Sequence, residues 1–188
     1  MRQRGLVRAR DAREWGVASQ ELARLEKEGR LIRVGRGVYS HPEDIDWSVA
    51  DLAVACQRVP NGVICLLSAL RFHDIGTQNP LGIWIAVPRG AWRPVAGEER
   101  LHVVQLSGVG YQAGIEAHGT GAGEIRVYSA AKTIADCWKW RGKLGMETAL
   151  EALRDALQQN KATASDILRY ASVDRVANVM RPYLEALA

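Results

Sequence analysis

Between Asp11 and Gly29 the apolar positions recur at helical spacing in two short stretches separated by Gly16. "ARDAREWG" predicts one helical turn capped by Asp11 and stopped at Gly16, and "VASQELARLEKEG" predicts a second helix capped by Ser19 and stopped at Gly29. On that second helix Leu22, Leu25 and Ala23 form the inward stripe, which leaves Gln20, Arg24 and Lys27 facing out. The period then drops to two. In "LIRVGRGVYS", Arg30 to Val34 and Val38 to Ser40 alternate apolar and polar around a Gly-Arg-Gly connection, the pattern of a β-hairpin. Leu31 and Val38 would face a small core, while Arg30, Arg33 and Arg36 project outward.

The polar stretch "SHPEDIDWS", with Pro42, marks a boundary, so the reading is of two domains, residues 1–43 and 44–188. Beyond it Asp46 or Ser48 caps a helix through "VADLAVACQRV", and "VICLLSALRFH" reads as a second, largely buried helix. "IWIAVP", "LHVVQLS" and "EIRVYS" are strand-like, and "GYQAGIEAHG" is a candidate for one more. Ser129 then caps "AAKTIADCWKWR", Gly145 precedes "METALEALRDALQQ", and two short helices, "SDILRYAS" and "RVANVMRPYLEAL", finish the chain. Helices, a small sheet and more helices make an α+β fold.

The formal net charge of +4 changes this picture only once it is located. Met1 to Glu43 carries ten Lys/Arg against six Asp/Glu, whereas the remainder is balanced at fifteen each, so the whole excess lies on the N-terminal module. A basic module carried by a neutral domain points to a polyanionic partner. Helix, tight turn, helix and basic hairpin together predict a winged helix-turn-helix. Its second helix enters the major groove, and the hairpin lies along the flanking phosphates. In that reading Ser19 sets the helix N-terminus near phosphate, Gln20, Arg24 and Lys27 read the groove, and Arg30, Arg33 and Arg36 hold the backbone. Glu21, Glu26 and Glu28 share the surface and would repel phosphate unless they pair with neighbouring Arg or Lys.

Three dispersed cysteines, Cys56, Cys65 and Cys137, fit reduced core thiols. No run of apolar residues is long enough to span a bilayer and no apolar signal core follows the basic N-terminus, so the expectation is a cytoplasmic protein with no membrane partner. "SAAK", Ser129 to Lys132, matches a Ser-x-x-Lys pair, but a helix cap and a first-turn lysine explain it, and its companion elements are missing. "GTGAG" lacks the Gly-Lys-Ser/Thr of a phosphate loop. His41, His73, His102 and His118 have no ligand spacing, and His73 reads as a satisfied, partly buried residue. The expectation is no catalytic residue, no metal and no cofactor. Trp138 and Trp140, two apart, cannot share a helix face.

"VPNGVICLLSALRFHDIGTQNP", "VYSAAKTIADCWKWRGKLGMETALEALRDAL" and "RVANVMRPYLEAL" resemble the AbiEi-type antitoxins of bacterial abortive-infection, type IV toxin–antitoxin systems, which act in phage defence. "LARLEKEGRLIRVGRGVYS" resembles the winged helix of the same family, so the likeness spans nearly the whole chain. The resemblance implies a winged helix that binds inverted repeats in the promoter of its own operon and represses it; one small winged domain offers few contacts, so two or more copies would bind. It also implies a second domain that counters a nucleotidyltransferase-like toxin, often without a stable complex and with no catalysis of its own. The family's winged domain begins with a helix ahead of the segment matching "LVRARDA", and only Met1 to Gly5 precede it here. Three explanations stay open: a late start, packing supplied by the second domain, or weakened DNA binding. The alternative reading is an antitoxin that docks the toxin directly over a vestigial winged helix, with a docking face at Lys132, Asp136, Trp138, Trp140 and Arg141.

Overall fold

The structure, a computed structural model, describes residues 7–35, 37–44, 49–59, 61–91, 101–120 and 123–187. Its class is α+β, with helices around two small sheets. Contacts divide the chain into two compact units, Met1–Pro60 with Ala117–Ile125, and Asn61–Glu116 with Arg126–Ala188.

The first unit runs β1 (Val7–Arg8), α1 (Ala9–Glu14), α2 (Ser19–Lys27), β2 (Ile32–Gly35), β3 (Val38–Ser40), a 3-10 turn at Pro42–Asp44, and α3 (Ala50–Arg58). Both short helices and the hairpin form where the periodicity places them. β1 was not foreseen, because a two-residue strand has no period to read; it pairs antiparallel with β3, Val7 opposite Tyr39, giving the order β1-β3-β2. Asp11 caps nothing. It lies inside α1, which starts at Ala9, and its carboxylate takes Arg10 Nε at 2.9 Å. Gly16 ends the first helix and Gly29 the second, each at positive φ, +82° and +70°, where a β-carbon is disfavoured. β2 bulges between Arg33 and Gly35, and α3 lies so near that a Cβ on Gly35 would come within 2.9 Å of Val54 Cγ1. α3, with its expected caps Asp46 and Ser48 outside the described residues, also binds β1: Arg8 donates to the Gln57 side-chain and backbone oxygens at 3.2 and 3.1 Å.

Beyond α3 the chain continues with β4 (Val63–Ile64), α4 (Leu66–Phe72), β5 (Ile83–Pro88), β6 (Leu101–Leu106), α5 (Val109–Gln112), β7 (Ile115–Thr120), β8 (Gly123–Tyr128), α6 (Ala130–Lys139), α7 (Arg141–Leu144), α8 (Met146–Gln158), α9 (Ala164–Val173) and α10 (Ala177–Leu187), all in the second unit except the Ala117–Ile125 part of β7 and β8. The sheet order is β6-β5-β4-β8-β7; β4 runs antiparallel to β5 and parallel to β8, and β5 is parallel to β6. The start of "VICLLSALRFH" is strand rather than helix: Val63 and Ile64 pair with Ala86 and Ile85 before α4 begins. "GYQAGIEAHG" divides between a single helical turn and β7. α6 sits at the centre of the helical layer, with every residue from Ala130 to Trp138 buried and α4, α8 and α9 packed around it. Leu70, Ile134, Leu153, Ile167 and Met180 close this core. At about 1.5–3 kcal/mol for each large side chain removed from water, it is the main driving force for this unit. No described helix is long and apolar enough to cross a membrane.

Candidate functional site

The outward face of α2 is built by the α1–α2 turn. Val17 N–H donates to the Ala12 carbonyl at 2.8 Å, which closes the turn, and Arg13 Nη2 donates to Ser19 Oγ at 3.1 Å, which ties the end of one helix to the start of the next. Ser19 is therefore not the cap: Ala18 occupies that position, and the Ser19 hydroxyl is engaged by Arg13. Leu22 is buried and Leu25 half-buried, whereas Ala23, expected inward, is exposed. Gln20, Arg24 and Lys27 are exposed, as the helical period requires.

The acidic neighbours decide what that face presents. Glu21 takes Arg24 with both oxygens, at 3.0 Å from Nε and 2.5 Å from Nη2, and Glu28 lies 3.3 Å from Nη1. Glu28 also lies 3.8 Å from Arg30. The bond from Arg24 holds the Glu21 carboxyl below its ordinary range, and Glu21 in turn raises Arg24. Arg30 and Arg33 are exposed on and beside the hairpin, Arg33 bending back toward the Gly35 carbonyl at 3.4 Å; Arg36 lies outside the described residues. Two residues escaped the sequence reading. Arg8 fastens β1 to α3, as above, and Trp15, at the turn, leaves 64% of its surface to solvent. A large aromatic directly before a helix-stopping glycine was the available signal for Trp15.

In the second unit the expected docking face is not a face. Lys132, Asp136 and Trp138 are buried, at 0%, 1% and 0% exposure, and only Trp140 and Arg141 are half-buried. The reason is the enclosure of α6 by its neighbours, which puts even its polar positions inside. Lys132 Nζ donates to Asp136 Oδ1 at 2.5 Å and to Asp174 Oδ2 at 3.0 Å, and Lys139 Nζ reaches the other oxygen of Asp174 at 3.0 Å. Burial pulls the Lys132 ammonium down, but the two carboxylates outweigh it and the net shift is upward. Burial raises Asp136 to about 7 against the pull of Lys132, with Asp174 adding to the rise. Lys132 also stands 5.0 Å over the Tyr128 ring. Trp138 Nε1 donates to the Ala149 carbonyl at 3.1 Å.

The serine of "SAAK" accepts from Lys132 N at 3.3 Å as the cap of α6, and its lysine is held in the buried cluster. His73 Nε2 bonds the Tyr128 carbonyl at 2.7 Å, a satisfied, partly buried side chain as expected. None of the three cysteines is in a disulfide, and burial raises the Cys65 and Cys137 thiols, which makes them poor nucleophiles. A cleft of about 310 Å³ opens among His73, Ser129, Lys161, Asp166, Arg169 and Tyr170, with Arg169 paired to Asp166 at 3.2 Å. Among the described residues no three His, Cys, Asp or Glu side chains converge as metal ligands.

Residues 1–40 match the model of a family described as "Transcriptional regulator, AbiEi antitoxin", the family whose likeness the sequence carries. Among solved structures the chain is similar to the RV2827C protein from Mycobacterium tuberculosis, with a TM-score of 0.57 and 15% identity over 89% of this chain. The match spans 66% of that chain, and at this identity it concerns the fold alone. No curated protein matches the sequence.

Proposed function

We propose that this chain is an antitoxin of the AbiEi type that represses its own operon by binding inverted repeats in promoter DNA, and that it counters a nucleotidyltransferase-like toxin without catalysis of its own. The observation that carries the reading is one coincidence. The segment that matches the family, residues 1–40, is also the segment that holds the charge excess, the exposed α2 face and the arginine-edged hairpin. The connectivity supports a winged helix: two helices, then a hairpin whose last strand pairs with a short strand ahead of the first helix. Within this unit α3 lies against β2 at Gly35 and is bonded by Arg8 of β1, so the hairpin and the short strand share one support.

In this reading residues 1–43 hold the DNA contacts and residues 44–188 the antitoxin function, in the cytoplasm. Gln20 and Lys27 face the major groove, and Arg30, Arg33 and Arg36 hold phosphate. Repeats would be filled by two or more copies, because a single small module makes few contacts. Direct docking of a toxin through Lys132, Asp136 and Trp138 is disfavoured by their burial. The deciding experiment titrates the full chain against a duplex of its own upstream DNA and a scrambled duplex, across a salt series. A preference for the upstream duplex with a steep salt slope supports the reading; equal weak binding to both overturns the repressor role. Growth rescue on co-expression with a nucleotidyltransferase-like toxin tests the antitoxin half.

A further inference from the structure

A guanidinium grips guanine with two donors along one edge, and phosphate is content with any of its donors. On α2 both routes to Arg24 are occupied. Glu21 fills the Nε–Nη2 edge with two bonds, and Glu28 stands 3.3 Å from Nη1, the three residues being held on one stripe by their i,i+3 and i,i+4 spacing. These pairs are solvent-exposed, 58% for the Arg24 side chain and 43% for Glu21, so they are easily opened. What approaches decides whether opening is favourable. A phosphate meets two carboxylates of its own sign before it reaches the cation. The O6 and N7 of guanine are neutral acceptors that take the same edge without that repulsion.

We propose that Glu21, seconded by Glu28, is a specificity-determining residue of the DNA-binding face, which withholds Arg24 from backbone phosphate and yields it to a guanine edge. This rests on the DNA-binding reading above. It turns the acidic residues, which look like a defect of the module, into its means of rejecting non-cognate DNA.

The test is fluorescence anisotropy with the full chain and two labelled duplexes of equal length, the upstream DNA and a scrambled version, over a salt series, with helix content checked by circular dichroism. Glu21→Gln is expected to bind the scrambled duplex more tightly, to steepen its log–log salt slope by about 0.9, one further phosphate contact, and to lower the preference for upstream DNA at least about threefold. Adding Arg24→Ala to that variant is expected to abolish the gain. An unchanged slope and preference in Glu21→Gln overturns the inference, and so does a gain that survives the loss of Arg24, which would make Glu21 a simple repulsive charge. If the unaltered chain prefers neither duplex, the DNA-binding reading fails and this inference falls with it; if it prefers the upstream DNA and Glu21→Gln behaves identically, the inference alone fails.

Discussion

Lys132 and Asp174, 42 positions apart in the chain, meet with Nζ 3.0 Å from Oδ2 and with both side chains wholly removed from solvent. The contact fastens the first turn of α6 to the C-terminal end of α9, and Asp136 and Lys139 complete a cluster of two cations and two carboxyls.

Removing the central cation leaves Asp136 and Asp174 facing each other in the core. Lys132→Met is expected to destabilise the chain by about 3–5 kcal/mol, read as a shift in the urea unfolding midpoint. A change within a few tenths would mean that water reaches the cluster.

The carboxyl of Asp136 titrates at about 7 in the folded chain against an ordinary 3.8, so it binds its proton more tightly folded than unfolded. A raised carboxyl contributes stability that is complete below the unfolded value and is lost as pH rises through the folded one. Between about pH 4 and pH 7 the natural chain should therefore lose stability relative to Asp136→Asn, and the difference should level off above that range. Unfolding midpoints of the two proteins measured in parallel check the sign; parallel curves would show that Asp136 is ionised throughout.

Gly114 has φ +74°, and a Cβ there would stand 2.8 Å from Lys132 Cβ. Gly114→Ala combines backbone strain with a clash against a residue that cannot move without breaking the cluster. The expected cost is about 1–3 kcal/mol by thermal or urea unfolding.

On the proposed DNA-binding face the two kinds of contact would separate by their effect. Arg33→Ala should weaken binding to every duplex alike and lower the salt slope by about 0.9, whereas Gln20→Ala should relax preference at individual base pairs by about 1–3 kcal/mol. Anisotropy against single-base variants of the upstream duplex distinguishes them. An unchanged slope for Arg33→Ala removes the hairpin from the contact set.

How much of this was legible in the sequence depended on the range of the interaction. α6 was readable because Ser129 and the apolar spacing act within a few residues, and the glycine stops of α1 and α2 for the same reason. The burial of Lys132 was not, since an i,i+4 Lys–Asp pair reads as a surface feature until Asp174 arrives from α9. β1 and β4, two residues each, exist only through their partners, so no periodicity announced them. Ser19 satisfied the cap pattern one residue late, because Arg13 competes for its hydroxyl. Of the face on α2, exposure could be read from period alone, while the pairing of Arg24 with Glu21 and Glu28 needed rotamers.

The turn after α4 is held in an unusual way: Gly76 N–H donates to Asp155 at 2.6 Å and Thr77 N–H to Glu151 at 3.0 Å, carboxylates of α8 standing where a strand's carbonyls would. The Gly76 amide is the chief cause that holds the Asp155 carboxyl below its ordinary range, and the Thr77 hydroxyl, which donates to Glu151 at 2.7 Å, is the chief cause for Glu151, with the Thr77 amide adding less. Two backbone amides thus owe their shielding to side chains that acid neutralises. In a deuterium-exchange experiment Gly76 and Thr77 should exchange slowly near neutrality and lose protection, relative to the core of α6, as acid titrates their two acceptors. They are a native isotope clock for the docking of that turn, separable from the global opening of the domain.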